Sequence, residues 1–213
     1  MTVPAPADQT ATCGRKAGRP RSQAIDDAVI AATLDILLEA GVSGLSIDAV
    51  AVHAGVARTT VYRRWATMDL LIVDAVATLY APVEPLVGAS LRDDLLAFVG
   101  ATRATFEGSI AGQLIPRLLV DDLEPSCIEG IKERVIAPRR QVLLARLARA
   151  QEDGEIASGT DLDVVADLIV GPTIWRFMTR RLYGPVDADY SGHLIDIVLQ
   201  GAGSSDADRV NRQ

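Results

Sequence analysis

The chain is poor in the residues that build metal sites, disulfides and redox centres. It has two cysteines and two histidines among 213 residues, and aromatic residues make up only 4%. Cys13 and Cys127 lie far apart in the sequence, so nothing supports a disulfide, and we expect reduced thiols in the cytoplasm. His53 and His193 are also far apart and lack the neighbouring cysteine or carboxylate pattern of a metal site. We therefore expect neither a metal nor a cofactor.

Long apolar runs and catalytic motifs are also missing. The best candidates for a membrane span are interrupted by Asp74 and Asp167, and residues 1–30 lack the apolar core of a signal peptide. The sequence contains no phosphate-binding loop, dinucleotide fingerprint or nucleophile elbow. Adjacent carboxylates such as Asp93 and Asp94 diverge on a helix. We therefore expect no membrane association and no enzymatic activity, and a helical small-molecule enzyme is kept only as an alternative.

Charge is divided unevenly along the chain, whose net charge is −7. Residues 1–67 hold seven Lys and Arg against six Asp and Glu, a net +1, whereas residues 68–213 hold fourteen against twenty-two, a net −8. A DNA-binding surface needs local positive charge, so we expect it in the N-terminal part. The acidic remainder disfavours a second alternative, a constitutive architectural DNA-binding protein, because that class needs a uniformly basic surface.

The segment 45–71, LSIDAVAVHAGVARTTVYRRWATMDLL, has the pattern of a helix-turn-helix. Ser46 is suited to cap a short helix, and Gly55 can adopt the left-handed conformation of a tight turn. Val61 and Trp65, four residues apart, then form the inner face of a second short helix. In such a motif the second helix lies in the DNA major groove, although an ordinary helical hairpin has similar spacings.

The opposite face of that second helix carries side chains suited to DNA. With Val61 inward, Thr59 and Arg63 lie on the other side, flanked by Thr60 and Tyr62. Hydroxyl groups suit phosphate oxygens, and Arg can bind either phosphate or the edge of guanine. The predicted DNA contacts of the motif are Ser46, Arg58, Thr59, Thr60, Tyr62, Arg63 and Arg64.

The same segment resembles the TetR family of bacterial transcription regulators. After its turn glycine, that family reads roughly Val-Ser-Arg-x-Thr-Leu-Tyr-Arg-His-Phe and then Ser-Lys-Glu-x-Leu. Here the two runs are GVARTTVYRRW (55–65) and TMDLL (67–71). Ala57 replaces the serine that caps the recognition helix, and Met68 replaces a lysine that contacts phosphate. The resemblance implies an operator-binding head followed by a helical domain that binds a ligand and dimerises.

A first helix and a basic arm precede the motif. We predict a helix that is capped by Ser22 and runs to about Ala40, because its apolar residues recur at helical spacing. The preceding RKAGRPR segment is expected to be extended, since Gly18 and Pro20 disfavour a helix. It is either a DNA-binding arm for the minor groove and phosphates or merely a solubilising tail. Its predicted DNA contacts are Arg15, Lys16, Arg19 and Arg21.

Beyond residue 67 the sequence is almost wholly helical in pattern. Helices are predicted at about 68–80, 91–108, 113–120, 125–153, 161–183 and 190–200. Pro138 is expected to kink the fourth of these. The segment GPTIWR (171–176) is similar to a Gly-Pro-x-aromatic-aromatic-Arg-like signature that one branch of the TetR family carries in its penultimate helix. This similarity extends the resemblance over nearly the whole chain.

The resemblance also implies a dimer interface and a ligand cavity in the C-terminal domain. In the family the last two helices pair with those of a second subunit, although here the same residues could also pack within the chain. The predicted interface is Ile169, Ile174, Phe177, Leu194, Ile195, Val198 and Leu199. The cavity is expected between the helix that leaves the DNA-binding head and the long helix, with aliphatic walls because aromatic residues are few. The alternative is that the predicted wall residues contact no ligand and belong to the ordinary core or surface. These residues are Phe98, Thr102, Phe106, Leu114, Arg117, Cys127, Trp175 and Met178.

These observations combine into one predicted architecture. The fold is all-α, with a disordered basic arm (1–21), a three-helix DNA-binding domain (22–67), an effector-binding and dimerisation domain (68–203) and a disordered tail (204–213). The function is that of a cytoplasmic homodimeric regulator, most simply a repressor, which a small molecule releases from a palindromic operator on double-stranded DNA. An apolar effector is slightly favoured.

Overall fold

A computed structural model describes residues 20–118, 121–184 and 188–203, and these are almost wholly helical. In chain order the α-helices are α1 (Pro20–Ala40), α2 (Ile47–His53), α3 (Arg58–Tyr62), α4 (Met68–Thr78), α5 (Leu91–Phe106), α6 (Ile110–Leu118), α7 (Pro125–Ile131), α8 (Ala137–Glu152), α9 (Leu162–Met178), α10 (Arg180–Tyr183) and α11 (Ala188–Ala202). A single antiparallel bridge, Ile156 to Gly203, is the one strand-like pairing in these ranges. The all-α prediction is confirmed.

The first helix begins earlier than predicted. Ser22 does not cap it, because α1 starts at Pro20. Proline fits the first turn of a helix, since its fixed φ is helical and the N–H that it lacks would have no partner there. Arg21, predicted to lie in an extended arm, is therefore in the first turn of α1. The predicted contacts Arg15, Lys16 and Arg19 and the predicted tail lie outside the described residues.

The helix-turn-helix forms as its local signals indicate. Ser46 caps α2, its hydroxyl oxygen accepting a hydrogen bond from the Ala49 N–H at 3.1 Å. Gly55 has a φ of +65°, the left-handed conformation that the turn requires. Ala57 makes no side-chain cap, and α3 is only five residues long. The side chain of Trp65 nevertheless reaches the core, where it is 6% exposed.

The long helix predicted at 125–153 is interrupted by one π-helical turn. This turn, Lys132–Ile136, lies between α7 and α8. Pro138 follows it closely and cannot donate a backbone hydrogen bond, so the wider turn accommodates the missing donor. The guanidinium of Arg139 donates to the Val135 carbonyl at 3.1 Å and satisfies an acceptor there. The sequence predicts a kink at Pro138, and the structure shows a change of helix type just before it.

Three groups of buried side chains hold the helices together. One joins α1, α2 and α3 around Val61 and Trp65. A second joins α1 and α4 to α6 and α7, and a third joins α5, α8, α9 and α11. Helix α4 contributes to both of the first two groups, with Leu71 in the first and Ile72, Val73, Ala75 and Val76 in the second. It therefore packs against both the first three helices and the C-terminal helices.

The C-terminal helices differ from the prediction mainly at their ends. The predicted helix 161–183 is divided, because α9 ends at Met178 and the short α10 follows Thr179. Asp161 caps α9 through hydrogen bonds from the Asp163 and Val164 N–H groups. None of the described helices is both long enough and apolar enough to cross a membrane.

Candidate functional site: nucleic-acid interface and ligand cavity

The exposed face of α3 carries three of the side chains predicted to bind DNA. Thr59, Tyr62 and Arg63 are exposed, whereas Val61 between them is fully buried. The buried residue fixes the rotation of the helix about its axis, so its neighbours must point outward. Two hydroxyl groups and a guanidinium therefore share one surface, which is the combination used for phosphates and base edges.

Arg58 at the start of α3 is held in place by two neighbours. Its Nε lies 3.0 Å from the Asp48 carboxylate on α2, and its guanidinium lies 5.5 Å from the centre of the Tyr62 ring. Its Nη2 also donates to the Tyr62 hydroxyl at 3.4 Å. The hydrogen bond with Tyr62 and the charge of Asp48 raise the pKa of Arg58 above its usual range. Arg58 is therefore a cation on the same face as Tyr62.

Not every predicted residue faces outward. Arg64 binds the Asp26 carboxylate on α1, and its side chain is only 16% exposed. Arg64 therefore ties α3 to α1, which does not fit the predicted role in DNA binding. Thr60 is half-buried, and Met68 packs against the core. The Ser46 hydroxyl is exposed, and while it accepts the capping hydrogen bond its own O–H is still able to donate to a phosphate.

Two cavities lie on either side of the crossing segment, residues 80–88, which leads from α4 towards α5. The first, of about 680 Å³, lies between this segment and α8 and is called the α8 groove. The second, of about 520 Å³, lies between the segment and α5 and is called the α5 groove. Both volumes are in the range of known ligand sites.

The α5 groove contains three of the predicted cavity residues. Phe98, Thr102 and Phe106 line it together with Tyr80, whose pKa is raised by burial, so its hydroxyl stays neutral. The Arg139 guanidinium stacks 4.5 Å from the Tyr80 ring centre and donates to the Ala81 carbonyl at 2.5 Å. Three aromatic side chains, Tyr80, Phe98 and Phe106, thus lie beside the aliphatic residues of this wall.

The other five predicted cavity residues line neither groove. Leu114 and Cys127 are buried in the group that joins α4 to α6 and α7, and Arg117 donates to the Leu38 carbonyl. Trp175 and Met178 are exposed on α9, at 59% and 41%. The crossing segment was not predicted to line the cavity. It is not helical, so the helical spacing of apolar residues gave no indication of which way its side chains face.

Cys127 is unsuited to a chemical role. Burial raises its pKa to about 11, and the negative charge of Asp69 acts in the same direction. The thiol is therefore protonated at neutral pH and is neither a nucleophile nor a metal ligand there. Among the described residues, no three His, Cys, Asp or Glu side chains are grouped so that they could hold a metal ion.

Comparison with known proteins agrees with this arrangement. The sequence model described as "Bacterial regulatory proteins, tetR family" matches residues 29–75, and that described as "Tetracyclin repressor-like, C-terminal domain" matches residues 88–198. The chain belongs to the TetR family. It is accordingly a helix-turn-helix transcriptional regulator, and such regulators are typically ligand-responsive repressors.

Individual relatives resemble this TetR-family chain over most of its length. The uncharacterized HTH-type transcriptional regulator YdeS of Bacillus subtilis is 31% identical over 76% of this chain and 83% of its own. The DNA-binding transcriptional repressor TetR of Mycobacteroides abscessus is 29% identical over 84% of this chain and 94% of its own. The crystal structure of the TetR family regulator SCO0332 superposes with a TM-score of 0.59 at 25% identity, covering 84% and 99% of the two chains.

Several residues predicted at the dimer interface of this TetR-family chain are instead buried within it. Ile169 and Ile195 are fully buried, and Phe177 and Val198 are each 7% exposed. Ile169, Ile195 and Val198 pack with α5 and α8 of the same subunit, in the core of the C-terminal domain. Ile174, Leu194 and Leu199 are half-buried. A charge at Ile195 would therefore damage the core of the subunit rather than an interface.

Helices α9 and α11, which carry the residues predicted at the interface, expose a different set of apolar side chains. Val164, Leu168 and Trp175 are 53%, 51% and 59% exposed, and their spacing of four and seven residues places them on one stripe of α9. Gly171 lies on the stripe between them with open space around it. On α11, Ile197 is 68% exposed. We call these five residues the outer stripe, which sequence periodicity missed because α9 is apolar on all sides.

Proposed function

We propose that this chain is a homodimeric repressor in the cytoplasm, without catalytic activity, whose release from DNA is controlled by a small molecule. The observation that carries the proposal is the exposed α3 face of Thr59, Tyr62 and Arg63, held by the buried Val61 and supported by the cationic Arg58. A relative that is named as a repressor supports the sign of regulation. The net −8 of residues 68–213 favours binding through the head alone.

The outer stripe supports dimerisation. Apolar side chains that are half or more exposed on two neighbouring helices gain free energy when a second copy covers them. A two-fold axis through the stripe would pair α9 and α11 of each subunit, and Gly171 would let two helices approach closely. Two reading heads related by this axis bind an inverted repeat, since the symmetry of the DNA site follows that of the protein.

The grooves beside the crossing segment support control by a ligand. Trp65 at the end of the reading head donates its Nε1 hydrogen to the Asp74 carboxylate of α4 at 2.7 Å, and Arg134 at the π-helical turn binds the same carboxylate. Arg134 also lines the α8 groove. A ligand that prefers one position of α4 would shift the population of dimers towards a head spacing that no longer matches the operator.

Selection of bound sequences from a random duplex library tests the DNA-binding part of this proposal. We expect enrichment of an inverted repeat whose half-sites are offset by about one helical turn. The variant Tyr62→Ala/Arg63→Ala, altered only on the exposed face, should enrich no motif while keeping its helical circular dichroism spectrum. An enriched motif without two-fold symmetry, or no enrichment by the wild type, would contradict the proposal. A reporter gene downstream of the selected site should fall in expression when the chain is produced.

A further inference from the structure

The wall of the α8 groove is rich in arginine although the groove lies in an acidic domain. Four arginines line it, Arg134, Arg139, Arg146 and Arg149, and no Asp or Glu is among the described residues of its wall. The rest of the wall is mostly apolar and comes from the crossing segment and from α8, including Pro82, Val83, Leu86, Pro138 and Val142. Residues 68–213 as a whole carry a net charge of −8. Arg134, Arg146 and Arg149 are paired with carboxylates that lie outside the wall, whereas Arg139 has no such pair among the described residues. The groove therefore presents guanidinium groups, but no carboxylate, next to apolar surface.

Two of these guanidinium groups have unused capacity to bind an anion. Arg139 contacts two backbone carbonyls and the Tyr80 ring, and no carboxylate contact is found for it among the described residues. Arg146 is 8% exposed, binds Asp94 at 2.6 Å and lies 3.8 Å from the Glu155 carboxylate, but its Nη1 is buried without a hydrogen-bond partner in the described part of the chain. A buried donor without a partner is costly, and an oxyanion within reach would relieve that cost.

The wall that faces these arginines is anchored at both of its ends. Arg139 donates to the Ala81 carbonyl, and the Gly88 N–H donates to the Asp94 carboxylate at 2.8 Å. A side chain at position 88 would place its Cβ 2.4 Å from that carboxylate oxygen, so glycine permits the approach. The crossing segment therefore keeps its position beside α8 through Arg139, which lines the groove, and through Asp94, which binds the groove residue Arg146.

We infer that the α8 groove binds a small organic anion, with an acidic group on the arginines and an apolar body against the crossing segment. The inference rests on the ligand control proposed above and names the chemical class of the ligand. Arg134 connects the groove to the reading head, because the Asp74 carboxylate that it binds also holds Trp65. An anion that competes for Arg134 weakens this connection, which couples occupancy of the groove to the position of the head.

Calorimetric titration of the full chain with matched probes tests the inference. Octanoate carries the charge and an apolar tail, octanamide is its neutral counterpart, and 2-naphthoate is a wider anion. We expect octanoate to bind about tenfold or more tightly than octanamide, since hydrogen bonds to charged groups are the stronger kind. Arg149→Gln should weaken octanoate binding about tenfold and leave octanamide binding unchanged. Arg139→Gln should weaken octanoate binding at least as much, because Arg139 also anchors the wall of the groove at Ala81.

Arg140→Gln is the matched control. Arg140 neighbours Arg139 in sequence, but it binds Asp163 and Asp167 on α9 and lies outside the groove wall. Its variant should bind octanoate as the wild type does. If Arg139→Gln proves misfolded by circular dichroism, Arg149→Gln still decides, because the Arg149 side chain is 66% exposed and its ion pair with Asp153 is a long one of 3.8 Å.

Three outcomes would overturn the inference. They are equal affinity for octanoate and octanamide, full octanoate affinity in the folded arginine variants, and no binding of either anion by the wild type. Operator binding by the ligand-free protein is measured in parallel. If no anion binds while operator binding is intact, the anion site alone is rejected. If no operator is selected, the proposed function is rejected, and the titration still shows whether the groove binds an anion.

Discussion

Thr59, Tyr62 and Arg63 share the exposed face of α3, but we expect them to affect operator binding differently. Thr59→Ala and Arg63→Ala should relax the preference at particular operator positions, because each side chain that reads a base supplies about 1–3 kcal/mol of discrimination. Tyr62→Phe should weaken all sequences about equally, since it removes a hydroxyl that is expected to contact phosphate and also accepts from Arg58. Sequence logos from library selections with each variant provide the measurement.

Identical logos for all three variants would mean that α3 does not read bases. Val52→Ala is a suitable control, because Val52 is 82% exposed on α2 and is not a predicted contact. For single residues of α3, the helical rotation of about 100° per residue was enough to predict from the sequence that Thr59 and Arg63 lie opposite Val61. It was insufficient for Arg64, whose direction depends on the Asp26 carboxylate 38 residues earlier in the chain.

Helix α4 connects the reading head to the rest of the molecule through Asp74. Asp74→Ala should destabilise the chain by about 1–3 kcal/mol, because the N–H of the buried Trp65 is left without its acceptor. Arg134→Gln should cost less than about 1 kcal/mol, since the Arg134 side chain is 53% exposed and the ion pair is screened by solvent. Urea unfolding measures both changes, and operator binding should fall more for Asp74→Ala.

Asp74→Asn is the control for this comparison, because its amide oxygen remains available to the Trp65 N–H while the negative charge is removed. The free energy of unfolding of Asp74→Asn should be similar to that of Arg134→Gln. If Asp74→Ala is no less stable than Asp74→Asn, the hydrogen bond from Trp65 does not anchor the head to α4.

The basic arm before α1 is expected to bind DNA phosphates. Deleting residues 1–19 removes Arg15, Lys16 and Arg19, and the slope of log affinity against log salt should become shallower by about 0.9 for every phosphate that these side chains neutralise. The melting temperature of the protein should be unchanged by the deletion. The variant Arg15→Gln/Lys16→Gln/Arg19→Gln keeps the length of the arm and should give the same shallower slope. An unchanged slope in both would leave the arm as a solubilising tail.

Helix positions followed from local signals more reliably than helix ends did. Ser46 and Gly55 act on their own neighbours, so they predicted the start of α2 and the turn after it correctly. Helix α1 starts earlier than its sequence pattern predicts, because proline breaks a helix interior but is compatible with a first turn. The π-helical turn before Pro138 is accompanied by contacts of Arg139 that no local pattern encodes.

The outer stripe is expected to hold the dimer together. Leu168→Asp and Ile197→Asp should give monomers in sedimentation with retained helical content, because each side chain is exposed in the single subunit but would place an unpaired charge in the interface. The monomers should lose specific operator binding, since one head contacts too few base pairs. A dimer that survives both substitutions, or a monomer that still binds its operator tightly, would contradict this assembly.

Two control variants separate assembly from folding. Ile128→Asp changes a side chain that is 54% exposed on α7, similar to Leu168, and should stay dimeric. Ile195→Asp places a charge at a fully buried position and should unfold the C-terminal domain rather than dissociate a folded dimer. Circular dichroism together with sedimentation distinguishes the two results.

The sequence by itself determined the family, the all-helical fold and the exposed face of α3, because these depend on residues that are near one another along the chain. Tertiary structure alone decided which apolar faces of α9 and α11 are core, since both sides are apolar and only packing against α5 and α8 separates them. It also decided where the grooves lie, because the crossing segment has no periodicity. Its position depends on Arg139, which is 58 residues from Ala81 in the sequence, and on Asp94, which is bound by Arg146 of α8.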